Sequence, residues 1–217
     1  MKLTFKKNLT YLFLVSPLFL LTCQKSPTGP AGIREYYPLA IGNFWLYANS
    51  DNTYKVQDEI IGFDHLSDGS SVFVKRKISR YQSAKIADTV TSYLKFVSDE
   101  LREYPEKDCP LTYIILLKSP LQLGAKWKTG SGGDCSIAPI SFTDTVTDLK
   151  NITVAAGKFN DCFEIETPLY CTPDPIEPIE ICYIWNMRWF APDVGIVKWA
   201  PGGWESQAFT LRQYRVR

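Results

Sequence analysis

The residues best suited to acid–base chemistry are one histidine and one pair of carboxylates. His65 is the single histidine of the chain, and it lies in residues 64–69, where Asp, Ser and Gly predict a loop. Glu164 and Glu166 fall on one face of a predicted strand, the kind of pair that glycoside hydrolases use. Exposed strand faces carry many such pairs, and the chain contains no G-x-S-x-G, phosphate-binding loop or H-E-x-x-H. We therefore expect no catalytic residue and no enzyme, with a hydrolase as the disfavoured alternative.

Ligands for a metal ion are also few. Asp64 and Asp68 supply carboxylate oxygens near a turn, but too few further oxygens are in register to favour calcium over a plain turn. No C-x-x-C pair occurs, and one histidine does not complete a zinc site with scattered cysteines. We expect neither a metal nor another cofactor.

Residues 1–22 have the layout of a secretory signal peptide. Lys2, Lys6 and Lys7 precede an uncharged run, rich in Leu and Phe, over residues 9–22. The run is shorter than the about 20 apolar residues that a permanent membrane helix needs, and Pro17 interrupts it. We predict that residues 1–22 are removed after export.

Cys23 follows this run in a setting with a specific chemistry. Leu20-Leu21-Thr22-Cys23 resembles a lipobox, the processing signal of bacterial lipoproteins, with Thr22 in place of the usual Gly, Ala or Ser. The resemblance implies cleavage before Cys23, a thioether between its sulfur and diacylglycerol, and a membrane reached through that lipid anchor. Each buried CH₂ contributes about 0.8 kcal/mol, so several acyl chains hold a protein stably. An ordinary signal peptide followed by an incidental cysteine is the alternative.

The remainder divides into a tether and a domain. Residues 23–34 predict a flexible lipidated tether, because their Ser, Thr, Pro and Gly cannot bury an apolar face. Residues 35–217 predict one β-rich globular domain, since this length supports one sizeable core. The predicted location is the cell envelope. Gln24, in place of Asp, resembles the outer-membrane sorting signal of enterobacteria, and the leaflet stays open.

Charge excludes one class of partner. The chain carries 24 basic and 23 acidic residues, a net charge of +1, and loss of the leader lysines leaves the remainder slightly acidic. Affinity for phosphate backbones rests on clustered positive charge, so no nucleic-acid partner is expected. The short basic cluster Lys75-Arg76-Lys77 lies in an alternating segment and is interpreted as a solvated strand face.

Alternation with a period of two residues dominates the domain and predicts half-buried strands over residues 54–60, 89–96, 142–147 and 208–216. Residues 111–117 are nearly all apolar and predict a strand covered on both faces. Turn-forming residues separate the segments, at 49–52, 67–70, 130–134, 156–157 and 201–203. The predicted fold is mainly β, a single domain built on a large curved antiparallel sheet, a half-barrel or open barrel, with few short helices.

Two segments repeat one motif. Residues 38–45 and 120–127 both spell P-L-x-[I/L]-G-x-x-W. Pro holds the chain extended, Gly permits a tight turn, and Trp begins a strand with a large ring. Two explanations stay open, an internal duplication and a coincidence of turn chemistry.

Three segments in sequence resemble a family of bacterial proteins. The P-L-x-x-G-x-x-W opening, A-G-x-F-x-x-C at 156–162 and W-F-A-P-x-V-G-x-V-K at 189–198 are similar to uncharacterised lipoproteins and periplasmic proteins classed as domains of unknown function. Some of these are compared with half-barrel lipoprotein carriers that hold acyl chains in a concave sheet. The resemblance implies a β-rich fold and an envelope location. It transfers no catalytic residue, because the matching positions are Gly, Pro and aromatic residues.

The cysteines beyond Cys23 are odd in number, in a compartment where disulfides persist. Cys171 and Cys182 bracket a Pro-rich excursion that a bridge would fix in place. Cys109 and Cys135 each lie beside turn residues and are the candidates for a second pair. Cys162 lies on an alternating segment and is interpreted as a buried free thiol.

Aromatic residues crowd the region from 185 to 204 and suggest two functions. We favour a filled core, because each ring buries a large area, and hence a structural, adaptor or envelope role. The alternative is a carrier of a lipid, another hydrophobic ligand or a glycan in a concave sheet lined by aromatic rings. The positions expected to line such a groove are Trp45, Trp127, Trp189 and Trp199.

Overall fold

The alternating segments of the sequence form strands of one antiparallel sheet. The computed structural model describes residues 32–83, 87–131, 142–173, 180–202 and 208–217. One short helix, α1, precedes the sheet. The elements are α1 (Ile33–Tyr36), β1 (Phe44–Ala48), β2 (Tyr54–His65), β3 (Ser71–Tyr81), β4 (Asp88–Val97), β5 (Glu100–Tyr104), β6 (Tyr113–Lys118), β7 (Lys126–Lys128), β8 (Gly130–Ser131), β9 (Thr143–Val154), β10 (Gly157–Pro173), β11 (Glu180–Ala191), β12 (Gly195–Pro201) and β13 (Phe209–Arg215).

The strands follow the order β7-β9-β10-β11-β12-β13-β1-β2-β3-β4-β5-β6-β8. The two ends of this order, β7 and β8, are separated in sequence by Thr129 alone. The amide of Ile115 in β6 donates to the Thr129 carbonyl at 2.5 Å, and the Thr129 amide donates to Phe142 at 2.8 Å. The sheet therefore curves back on itself until it is nearly closed. The prediction of a mainly β fold with one large curved antiparallel sheet is confirmed.

The repeated motif begins two structurally matched lead-ins. Gly42 and Gly124 both have a positive φ, +88° and +79°, a conformation that glycine adopts without steric cost. Gly42 donates its amide to Ile60 at 2.8 Å, and Gly124 donates to Val146 at 2.9 Å. In return the amides of Ile60 and Val146 donate to the residue after each glycine, both at 2.9 Å. The strand that follows then pairs with β2 in the first case and with β9 in the second.

The order of strands extends this match across the sheet. Strands β1 to β6 form one continuous meander, and β7 with β9 to β13 forms another, with β13 joined to β1. The two meanders are called the first and second repeats below. Equal turns, equal register at the lead-in and equal strand numbers make the two halves structural repeats, which supports a duplication over coincidence.

Helix α1 lies across one end of the interior of the sheet. The Arg34 guanidinium stands 4.3 Å from the Phe96 ring centroid in β4, and the Tyr36 ring lies 5.0 Å from Phe163 in β10. Next to the helix, Tyr37 contacts Trp45 in β1 at 5.6 Å between ring centroids. Because these strands stand at separate places in the order, α1 packs between walls of the sheet. The folded domain thus includes Ile33, just before the boundary predicted at residue 35.

Two local predictions are wrong. His65 was predicted in a loop, but β2 continues through it, and the turn begins after Leu66. Lys75 was predicted on a solvated face, but its side chain is only 5% exposed. His65 was misassigned because the ends of strands, like turns, lie near solvent and carry polar residues. Lys75 was misassigned because a long lysine side chain can face an interior when a carboxylate pairs with it.

Candidate functional site

The interior of the sheet contains a cavity of about 330 Å³, at the lower end of the range of about 300 to 1,000 Å³ for small-molecule sites. Tyr37, beside α1, forms part of its wall. Both repeats contribute charged residues to it, and alternation along each strand places their side chains on the inner face. Its principal charged and aromatic residues are Asp58, Lys75, Lys77, Glu103, Arg188 and Trp199.

In the first repeat, Lys75 of β3 forms a salt bridge with Glu103 of β5. Ser92 of β4 also donates its hydroxyl to the Glu103 carboxylate at 2.6 Å. Burial opposes ionisation of Glu103, but the charges of Lys75 and Lys77 and these hydrogen bonds lower its pKa to about 2. Burial likewise opposes the charge of Lys75, but Glu103, Tyr37 and Asp58 raise the pKa of Lys75 above its ordinary value. Both groups therefore stay ionised at neutral pH.

In the second repeat, a buried carboxylate is fully satisfied. Asp144 of β9 accepts a hydrogen bond from the Thr167 hydroxyl at 2.5 Å and another from the Arg188 guanidinium at 2.5 Å. Arg188 of β11 is 7% exposed and Asp144 is 0% exposed. Paired and hydrogen-bonded charges of this kind are tolerated in an interior, whereas lone charges are costly.

Three polar atoms of the cavity residues lack a hydrogen-bond partner among the described residues. They are Oδ1 of Asp58, Oδ1 of Asn186 and Nε of Arg188. Asp58 is 8% exposed and lies opposite Lys77 in the β2–β3 register. Within the described part of the chain, no ion pair within 4.0 Å joins them. An unmatched buried polar group costs about 1 to 3 kcal/mol, and a hydrogen bond from a bound ligand would remove that cost.

Aromatic residues complete the cavity. The Tyr47 hydroxyl donates to the Ile196 carbonyl at 3.0 Å, and burial raises the pKa of Tyr47 and Tyr37 well above the ordinary value, so both stay neutral. The Trp199 ring is stacked on Phe209 at 4.2 Å between ring centroids. These rings form a rigid, partly apolar surface beside the charged groups.

Of the four tryptophans predicted to line a groove, Trp199 is the one among the cavity residues. The other three are buried in the packed core and their indole N–H groups are already bonded. Trp45 donates to the Val194 carbonyl at 2.6 Å, Trp127 to the Ile115 carbonyl at 3.4 Å, and Trp189 to the Glu164 carboxylate at 2.8 Å. Sequence reasoning did not identify the charged cavity residues, although Asp58 falls within the half-buried strand predicted over residues 54–60.

The residues considered for catalysis lie elsewhere. Ile165 pairs with Arg188, so the neighbouring Glu164 and Glu166 point to the face opposite the cavity. Glu164 forms a salt bridge with Lys150, and burial followed by the Glu164 charge raises the pKa of Glu166. Within the cavity, Glu103 is held ionised and has no proton to donate as a general acid at neutral pH.

The cysteine predictions fare differently. Cys162 is a buried free cysteine, which confirms that prediction, and burial raises the pKa of its thiol to about 11. Cys109 is disulfide-bonded, but Cys135 lies outside the described residues, so the pairing of the two stays a prediction. Cys171 and Cys182 are Cα partners across β10 and β11, and the bridge between them stays a prediction.

Other predictions lie outside the described residues, namely the signal peptide over residues 1–22, Cys23 and most of the tether. In the part of the chain that is described, no group of three or more His, Cys, Asp or Glu side chains is placed to hold a metal ion. No helix among those same residues is long and apolar enough to cross a membrane.

The fold and the site define a β-sheet protein with a charged interior cavity. No protein-family model matches the chain, and no curated protein matches it. Among solved structures, the crystal structure of a "putative lipoprotein" from Parabacteroides distasonis ATCC 8503 is similar, with 14% sequence identity and a TM-score of 0.46. The match covers 83% of this chain and 98% of that one. A likeness of this degree assigns neither a family nor a function.

Proposed function

We propose that this chain is a lipid-anchored protein of the bacterial cell envelope whose non-catalytic β domain binds a small polar ligand inside its sheet. The observation that carries the binding role is the cavity whose charged wall holds unmatched polar atoms at Asp58, Asn186 and Arg188. A purely structural or adaptor domain would gain stability if its interior were filled with apolar side chains.

The nature of the wall favours a polar ligand over a lipid. Acyl chains placed against Asp58 and Lys77 would remove water from two charges and return no hydrogen bond, which is unfavourable. The three most apolar candidates for a lipid groove, Trp45, Trp127 and Trp189, are occupied by core packing. A ligand with its own donors and acceptors can instead form hydrogen bonds with the polar groups of the cavity wall.

The anchor rests on the leader and on Cys23. The lysine-led apolar run, the lipobox-like sequence ending at Cys23 and the polar tether together describe a protein that is exported and then held at a membrane. We propose the outer membrane as the site of attachment, on the basis of Gln24.

The anchor is tested with the full chain expressed in a bacterial host. We expect a diacylglycerol adduct at position 23 by mass spectrometry and recovery in the membrane fraction. Cys23→Ser should abolish the adduct and prevent formation of the mature, membrane-anchored product. Cys162→Ser should leave the fractionation unchanged. A free thiol at position 23 in a soluble product would overturn the anchor.

The binding role is tested by thermal unfolding of the detergent-purified full chain with sugars, amino acids, polyamines and fatty acids. A ligand that binds only the folded state raises the midpoint of unfolding in a concentration-dependent way. We expect one of the polar classes to do so saturably. A response to fatty acids alone, or to none of the four classes, would overturn the proposal.

A further inference from the structure

Asp58 and Asp144 occupy the same position in the two repeats. Asp58 is the Cα partner of Trp45 across β1 and β2, and Asp144 is the Cα partner of Trp127 across β7 and β9. Two residues further along each strand, Ile60 and Val146 make the matched hydrogen bonds with the lead-in turns. Both carboxylates are buried and both project to the inner face. The hydrogen-bond partners of Asp144 can therefore be compared directly with those of Asp58.

The surroundings of the two carboxylates differ. Asp144 receives hydrogen bonds from the hydroxyl of Thr167 and the guanidinium of Arg188, both at 2.5 Å. Asp58 has an oxygen with no partner, and the residue opposite it, Lys77, forms no ion pair with it within 4.0 Å among the described residues. In the second repeat, protein side chains donate hydrogen bonds to the carboxylate. In the first repeat, one oxygen of the carboxylate has no protein donor among the described residues, and the residue lines a cavity.

We propose that Asp58 accepts hydrogen bonds from the hydroxyl groups of a neutral saccharide bound in the cavity, which supplies to Asp58 what Thr167 and Arg188 supply to Asp144. This inference rests on the proposed ligand-binding function and names the class of ligand.

The balance of charge favours a neutral ligand. Lys75 is paired with Glu103, and Arg188 is paired with Asp144. The remaining charges, on Asp58 and Lys77, are opposite in sign and face the same cavity. A ligand of net charge would therefore leave one charge uncompensated in a buried site, which is costly.

The mixture of free groups favours hydroxyls. Oδ1 of Asp58 and Oδ1 of Asn186 are acceptors, whereas Nε of Arg188 is a donor. A hydroxyl group both donates and accepts, so a polyhydroxylated ring suits a wall that carries both acceptors and donors. The Trp199 ring in the same wall offers an apolar surface to the C–H groups of a sugar ring.

The test is isothermal titration calorimetry of the detergent-purified full chain with single saccharides, namely glucose, galactose, mannose, N-acetylglucosamine, maltose and lactose. Putrescine and glutamate serve as charged probes. We expect at least one neutral saccharide to bind saturably, and Asp58→Asn to weaken that affinity about ten-fold or more, because a hydrogen bond to a charged group is replaced by a neutral one. Asn186→Ala should weaken it about three-fold or more.

Two controls separate recognition from folding. Glu59→Gln changes the next residue of β2, which faces the other side and is paired with Arg76 at 2.8 Å, so the affinity should not change. Asp58→Asn should keep a single cooperative unfolding transition, because Asp58 forms no ion pair within 4.0 Å among the described residues whose loss would disrupt the fold. Asp144→Asn should unfold at a lower temperature, since it leaves Arg188 without its anion.

The outcomes distinguish this inference from the proposed function. Unchanged saccharide affinity in a folded Asp58→Asn protein overturns the inference. Binding of putrescine or glutamate without any saccharide overturns it as well, but leaves a polar-ligand cavity standing. If none of the saccharides, charged probes or other polar classes binds, both proposals fail.

Discussion

Individual side chains in the cavity are held in fixed charge states by their neighbours. Alternation predicted a half-buried strand over residues 54–60, which contains Asp58, but it did not predict that one oxygen of Asp58 lacks a hydrogen-bond partner among the described residues. Lys75 and Lys77 resembled surface residues in sequence because a carboxylate that could meet them, Glu103, lies two strands away. Local pattern shows which face a side chain takes, whereas pairing across strands depends on contacts between distant residues.

The ion pair of Glu103 predicts an acid-sensitive stability. Its pKa of about 2 in the folded protein lies below the ordinary value of 4.5. A depressed carboxyl pKa stabilises the folded state above the unfolded-state value, and that contribution disappears as the pH falls towards 2. We expect the free energy of unfolding in urea to fall by on the order of 3 kcal/mol between pH 5 and pH 2 from this group.

Glu103→Gln isolates that contribution. The variant should be less stable than the wild type at pH 6, because Lys75 loses its anion, and its stability should change less between pH 5 and pH 2. Asp88→Asn is the control, because Asp88 is exposed and forms no ion pair within 4.0 Å among the described residues, and it should keep the wild-type profile. Identical acid profiles for Glu103→Gln and the wild type would contradict the assignment.

The strands and turns were the most predictable level of the structure. Period-two alternation located β2, β4, β9 and β13. The turns predicted at residues 67–70 and 156–157 separate strands in the structure. The repeated motif could be recognised in the sequence because each of its residues has a local structural role that few other residues can fill. Pro extends the chain, Gly allows the turn, and Trp supplies the large ring at the start of the strand. The end of β2 at His65 was missed, since polar residues at a strand end and in a turn look alike. Helix α1 was too short to give a periodic signal.

The two motif glycines predict matched losses of stability. Gly124 has a φ of +79° and open space where a Cβ would stand, so Gly124→Ala introduces backbone strain alone. We expect a loss of about 1 kcal/mol in the free energy of unfolding. Gly42→Ala should lose slightly more, because its Cβ would lie 3.3 Å from the Arg217 side chain.

Gly62→Ala is the control for both variants. Gly62 also has open space around it but lies in β2 without a positive φ, so alanine there should be neutral or stabilising. Chemical denaturation of the three variants compares them directly. An equal loss at Gly62 would show that the positive φ is not the cause.

The domain as a whole depends on how the two repeats meet. They join once through β13 and β1 and again around Thr129, and the cavity draws Asp58 from one repeat and Arg188 from the other. The sequence predicted a curved sheet, because a flat one would expose an apolar face. Near-closure was not predictable from the sequence. It depends on the short strand β7, which pairs with β9, and on Thr129, which hydrogen-bonds to Ile115 of β6 and to Phe142 just before β9.

Closure at Thr129 gives the last prediction. Its amide donates to Phe142 at 2.8 Å and its carbonyl accepts from Ile115 at 2.5 Å, so one residue joins β6 to the segment before β9. Thr129→Pro removes the amide donor and restricts φ, and should lower the free energy of unfolding by about 3 kcal/mol. Thr129→Val keeps the backbone and removes the hydroxyl that accepts from the Phe142 amide at 3.0 Å, and should cost about 1 kcal/mol.

Hydrogen exchange then shows whether closure is what was lost. In Thr129→Pro the amide of Ile115 should exchange faster, because its acceptor is displaced, while the amides of β2 paired with β3 remain protected. The proposed saccharide site should weaken as well, since Leu116 of β6 lines the same cavity as Arg188 of the second repeat. Equal stability and equal Ile115 protection in the proline and valine variants would show that the sheet does not rely on the hydrogen bonds of Thr129 for its closure.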